Sequence, residues 1–246
     1  MEPELPTQQD ATRGLAPTDN ARVIRQTAQV AEDDPLAAYT ETFTPVSAED
    51  FFQRLLCDPL SSHAWAFRGH AASAWHLQPS LERHAARKKI GPMKAEQFVT
   101  RQFKRAAHQY NREVQDDDEL EWLALMRHHG APTRLLDWTK SPYVAAFFAT
   151  ADAAENDSCA VWAIDAFHLA SVAHRVISEL NPDCRLYFSW DLGRSAIFRP
   201  VFMQRYPTPE YALVAPVYPS RANERVTVQQ GLFLCPCSLD FGFESA

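Results

Sequence analysis

The sequence predicts an α+β fold in a single mixed domain, on three observations. Helical and strand-like runs alternate irregularly, without the regular strand–helix–strand rhythm of a doubly wound sheet. Several helices carry explicit start and stop signals, among them Ser47, Gly130 and Ser141-Pro142. The chain has 246 residues, 46% of them apolar, which is enough to bury one sizeable core. Residues 1–42, rich in Pro, Thr, Gln, Ala and acid, show little apolar periodicity and are expected to form a disordered tail. The domain is then expected over 43–246.

Ser47 caps a first helix whose apolar face is Phe51, Phe52, Leu55 and Leu56. Ala64 to Gly69 reads as a strand; Arg68 ends its apolar run and Gly69 lets backbone approach something closely. From Pro92 to about Asn111 a long helix is expected, with Val99, Phe103, Ala106 and Tyr110 as its core stripe. Asp116 to Asp118 place negative charge at the start of the next helix, where the dipole favours it. Trp122, Leu123 and Met126 supply that helix's buried stripe, and Glu119 and Glu121 its first-turn acids. Gly130 and Pro132 end it. Arg134 to Thr139 then reads as a strand, and Tyr143 to Ala149 as a helix so apolar all round that burial is expected. Further strands are expected at Cys159–Asp165, Ser195–Phe202, Tyr211–Tyr218 and Arg225–Leu234, with a helix at 166–180. The prolines in the second and third of these strands point to edges or bends.

The formal net charge is −7 and the isoelectric point about 5.7, which excludes nucleic acid coating the whole molecule but not a local basic face. Such a face exists in sequence: residues 83–112 hold nine Lys/Arg against one acid, Glu96. Arg101, Lys104 and Arg105 on that helix are therefore candidate contacts to DNA or RNA phosphates, with an ordinary solvated face as the other reading. Five cysteines without CxxC or zinc-ribbon spacing read as reduced thiols, and no metal site is expected. With no secretory signal and no apolar run of about 20 residues, a cytoplasmic protein without membrane contact is expected. Arg134 and Asp137 bracket two leucines between two expected helices. Either they form a structural ion pair or they line the floor of a site.

Three blocks, Phe67-Arg-Gly69, HHGAPTRLLDWTKSPYVAAFFA (His128–Ala149) and Arg225-xxx-Gln-Gln-Gly-x-Phe233, together resemble the FRG domain, over roughly residues 45–238. The same blocks are similar to the Arg–Ser–Glu class of NAD-dependent ADP-ribosyltransferases. That likeness implies a split sheet with flanking helices and NAD as co-substrate. It also implies a phosphate-holding role for Arg68 and a backbone contact at Gly69 to the nicotinamide amide. Thr133, Thr139 and Ser141 would line the cofactor pocket, with Arg134 a second candidate cation. Arg225 stands where this class has its catalytic glutamate. The implied alternatives are another carboxylate (Asp137 or Glu121), polarisation by Gln230, or an inactive chain that binds nucleotide or nucleic acid. The chemistry of such a site needs a carboxylate near a ribose that develops positive charge and a guanidinium on the diphosphate. A nucleic-acid base is the acceptor that the basic helix would favour.

Overall fold

The computed structural model describes residues 40–57, 60, 65–107, 118–153, 158–180, 213–219 and 224–245. In chain order the elements are α1 (Ala48–Leu56), β1 (Trp65–His70), α2 (Ser80–Lys88), α3 (Pro92–Ala107), α4 (Glu119–His128), β2 (Leu136–Thr139), α5 (Pro142–Ala151), β3 (Ala160–Asp165), α6 (Ala166–Leu180), β4 (Val214–Val217), α7 (Glu224–Val228), β5 (Gly231–Pro236) and a 3-10 turn at Phe243–Ser245. The caps lie where residue chemistry puts them. Ser47 Oγ accepts from the Asp50 N–H at 3.1 Å, Asp118 accepts from Glu121, and Ser141 accepts from Val144 with Pro142 in the first turn. Gly130, at φ +76°, closes α4 in the left-handed region that glycine adopts at low cost.

Among the described residues, five strands form one antiparallel sheet in the order β3-β1-β2-β5-β4, so the fold is α+β. Pro216 sits in β4, at the sheet edge, where a residue without an N–H does least harm. Strand alternation divides the side chains between two faces. On one face Phe67 packs with Leu55 of α1 and Ala145 of α5. Further along that face Phe233, Cys235, Ala215 and Val217 pack against Leu120, Leu123 and Met126 of α4 and Ala173 and Ile177 of α6. The other face gathers Ala66, Leu136, Trp138, Val214, Leu232 and Leu234 with Leu77, Ala166 and Phe243.

Two expectations from periodicity need correction. Helix α5 is not buried all round: Ala145 and Ala149 face the sheet, while Tyr143, Phe147 and Phe148 are exposed. The reason is the close approach of α5 to β1, since only small side chains fit between helix and strand backbone. Conversely, α4 is buried at every position from Leu120 to Met126, so Glu121 is an interior acid and not a surface one. The strand expected at 195–202, the tail at 1–39 and the end of the long helix at 108–111 lie outside the described residues. Arg225–Leu234 divides into the short helix α7 and β5, joined by a turn at Gln230 with φ +49°.

Candidate functional site

The FRG triplet occupies the middle of β1, and each residue has a separate task. Phe67 enters the core. Gly69 lies under α5: a Cβ there would stand 2.1 Å from the Ala145 carbonyl oxygen and 2.5 Å from the Ala149 nitrogen. The close approach signalled by this glycine is therefore that of a helix. Arg68 leaves the opposite face, and in the sheet register it is paired with Trp162 of β3.

Between β1 and β2 the ladder has a single paired position, Phe67 with Thr139. Beyond it the Arg68 guanidinium spans the seam, its Nη1 donating to the Asp137 carbonyl at 2.5 Å. Its Nε donates to His70 Nε2 at 3.0 Å. Because an arginine N–H can only donate, His70 Nε2 must be the accepting nitrogen. The imidazole proton then sits on Nδ1, which donates to the Trp75 carbonyl at 3.2 Å. No carboxylate lies within ion-pair distance of Arg68 among the described residues, and three of its N–H groups, both on Nη2 included, have no partner there. Burial is the main cause that pushes its pKa down to about 10, against the raising effect of Asp137 and with Arg127 and Arg83 adding to the fall. His70 is pushed down to about 4, chiefly by burial and then by the Arg68 charge, so it is neutral near pH 7.

The same row of the sheet contains two buried indole N–H groups, those of Trp138 and Trp162, that have no acceptor among the described residues. Unsatisfied buried donors are uncommon, and two beside a guanidinium with no ion-pair partner among the described residues make this a donor-rich region.

Asp137 projects from the other sheet face and approaches Arg68 only at the end of the sheet, where β1 finishes and β2 begins. Its Oδ2 accepts from Arg127 Nε at 2.9 Å and also from Arg127 Nη2. Its Oδ1 has no partner among the described residues. Arg127 Nη1 in turn donates to Ser80 Oγ, which also accepts from the Thr133 N–H at 3.1 Å. The Thr133 carbonyl accepts from the Leu81 N–H, so this buried threonine anchors the start of α2.

The Arg134–Asp137 pair offered by sequence spacing does not form. Arg134 is buried and its Nε donates to Glu96 Oε1 of α3 at 2.7 Å, while its Nη2 donates to Oε2. Burial works against its charge, yet Glu96 outweighs that and raises its pKa. The one acid within the basic stretch is thus the interior counter-ion of Arg134. Nearby Cys235 and Cys237 are buried thiols, pushed up by burial, Cys237 to about 12; neither is a nucleophile at neutral pH.

The other candidates are dispersed. Thr139 Oγ1 donates to the Gln229 carbonyl at 2.6 Å and accepts from the Ser141 N–H, and Ser141 Oγ caps α5. The Gln230 carbonyl accepts from the Lys140 N–H, tying the start of β5 to the end of β2. Glu121 is interior to α4. Arg101, Lys104 and Arg105 line an open groove of about 510 Å³ with Glu96, Gln97, Thr100 and Glu119. Lys104 is paired with Glu119 at 3.3 Å and lies over the Trp122 ring; Arg68 and Asp137 lie outside this groove.

The structure therefore brings Arg68, Asp137 and Thr133 to one end of the sheet. Sequence reasoning overlooked His70, Arg127, Ser80 and Glu96. His70 was the findable one, since two residues along a strand share a face. The others depend on which helices meet. Compared with known families, residues 63–158 match the model described as FRG domain, a stretch from just before β1 through α5 that contains Arg68, Thr133, Arg134 and Asp137. No curated protein and no solved structure matches the chain at a significant level.

Proposed function

We propose that this protein binds NAD through Arg68 at the β1–β2 seam and transfers its ADP-ribosyl group, with a nucleic-acid base as acceptor. The observation that carries the proposal is a half-buried guanidinium with three unclaimed N–H groups and no carboxylate partner among the described residues. A cation held in that state is well suited to phosphate, whose oxygens match the planar fork of arginine. The resemblance of the FRG and LLDWTKSP blocks to the transferase motifs supports NAD over other phosphate esters.

The fit to NAD rests on Arg68. Gly69 is covered by α5, and the hydroxyls of Thr139 and Ser141 are engaged in the turn and cap, so these residues act by shaping the strand end. NAD supplies an activated ribosyl group whose nicotinamide leaves with the bonding electrons. Arg68 would hold its diphosphate, and Asp137, whose Oδ1 has no partner among the described residues, would contribute negative charge at the same end of the sheet. The basic face of α3 would attract the acceptor strand.

A second reading, a nucleotide-binding module without catalysis, is favoured by one specific observation. The Asp137 carboxylate is engaged by Arg127, and the expected glutamate position is Arg225. Incubation with NAD labelled in the adenylate, together with DNA or RNA, separates the two. Label on the acceptor supports transfer. NAD affinity by calorimetry that is lost in Arg68→Ala, with no label transferred, supports the module; absence of NAD binding refutes both.

A further inference from the structure

The donor side of the Arg68 site is explained by its charge, but its direction is not. A long cation at a strand surface has several rotamers and loses conformational entropy when held in one. Two bonds hold this one: Nη1 donates to the Asp137 carbonyl, and Nε donates to His70, two residues on and therefore on the same face of β1. His70 is buried, only 3% exposed, and is bonded at both ring nitrogens: Nε2 accepts from Arg68 Nε and Nδ1 donates to the Trp75 carbonyl. The Trp75 and Trp162 rings flank it at 6.1 and 6.4 Å.

We propose that His70 is a positioning residue that acts through Arg68: it occupies the Nε edge of the guanidinium with a neutral acceptor and so aims both Nη2 donors at the ligand. The proposal rests on Arg68 being the ligand-holding cation. The chemistry explains why an imidazole suits the place. A carboxylate at this position would fix Arg68 equally well but would neutralise it, and a neutralised guanidinium gains less from a phosphate. An apolar side chain would leave Nε–H buried without a partner, a loss that the guanidinium would relieve by turning away. Neutral His70 holds the direction and leaves the charge available. The shift of its pKa to about 4, chiefly by burial and next by Arg68, agrees with that neutral state.

Two isosteric substitutions divide the two bonds of the ring. In His70→Gln the amide oxygen reaches the place of Nε2 and can accept from Arg68. In His70→Asn the amide reaches only the place of Nδ1 and keeps the Trp75 carbonyl bond alone. The experiment measures ADP-ribose affinity by calorimetry for wild type, both variants and Arg68→Ala. It also records the 15N spectrum of wild-type His70 at pH 7. The expected result is affinity within about threefold of wild type for Gln and a loss of tenfold or more for Asn, with the Nδ1–H tautomer in the spectrum. Equal affinity of wild type and Asn, or a loss in Gln with Asn unaffected, overturns the proposal. If neither variant folds, the tautomer decides, because a proton on Nε2 is incompatible with the bond from Arg68 and overturns it as well. If wild type does not bind ADP-ribose, the reading of Arg68 as ligand holder fails and takes the ligand-directed part of this proposal with it. The tautomer then still establishes or refutes the hold of His70 on Arg68.

Discussion

Replacing Gly69 with alanine is a direct test of what the FRG triplet does. The added methyl carbon would stand 2.1 Å from the Ala145 oxygen, 2.5 Å from the Ala149 nitrogen and 3.0 Å from the Phe148 carbonyl carbon. All three are main-chain atoms of α5, so no rotamer change relieves the overlap. Non-bonded heavy atoms settle at about 3.5 Å or more, so α5 must retreat by more than about 1 Å. That retreat pulls Ala145 away from Phe67 and Leu55, which share its core cluster. Overpacking costs about 1–3 kcal/mol where side chains can adapt; here backbone meets backbone, and a loss of about 3 kcal/mol is expected. For a chain of this size each kcal/mol moves the melting temperature by about 2–4 °C, so Gly69→Ala should melt about 6–12 °C lower. A urea titration with an unchanged slope and a lower midpoint would confirm a loss of stability. If Gly69 is kept instead for a backbone contact to ligand, the variant will match wild type in stability and lose binding. A midpoint within about 0.5 kcal/mol of wild type refutes the packing argument.

Glu96→Gln should cost about 3–5 kcal/mol, because it leaves the buried Arg134 charge uncompensated. Asp137→Asn should cost at most about 1 kcal/mol, because that carboxylate is 44% exposed and its ion pair is screened; the reverse order of urea midpoints would show that the two pairs have been misjudged. Stability should fall with acidity between about pH 6.5 and pH 4, because the unfolded chain binds a proton at His70 that the fold, at about 4, does not. Arg68, Arg83 and Glu244 are the charged groups that act on His70. The loss reaches about 3 kcal/mol at its acid end, and His70→Gln should remove that part of the pH dependence in parallel urea titrations. Substituting Gln for Arg101, Lys104 and Arg105 should flatten the log–log salt dependence of DNA or RNA binding by about 2 units. Lys104, paired with Glu119, is expected to contribute least; a wild-type protein without salt-sensitive affinity would show a solvated face.

Local chemistry was legible in the sequence. Ser47, Ser141-Pro142 and Gly130 announce helix ends because capping involves only residues within a few positions of each other. The mixed class followed from irregular alternation of periods, and Pro216 pointed to an edge or a bend, of which the sheet shows the edge, because a missing N–H acts on its own ladder position. Arg68 and Gly69 stood out because each breaks an apolar pattern. What their neighbours would be was not written there.

Arg134 shows the limit most plainly. Asp137 lies three residues away and looked like its partner, yet the acid that binds it is Glu96, 38 residues back on α3. Arg127 takes Asp137, and α5 takes the space beside Gly69. Helix periodicity decides which side of an element is apolar, but not which element lies against that side. Likewise, the apolar composition of α5 predicted burial, while the close approach to β1 admitted only Ala145 and Ala149 and turned Phe147 outward. A charge finds its counter-ion through the space left after the core has packed. Sequence by itself therefore determined the caps, the class and the residues under suspicion; the partners of Arg68, Arg134 and Asp137 were decided only when helices and strands met, because pairing depends on distance through space and not along the chain.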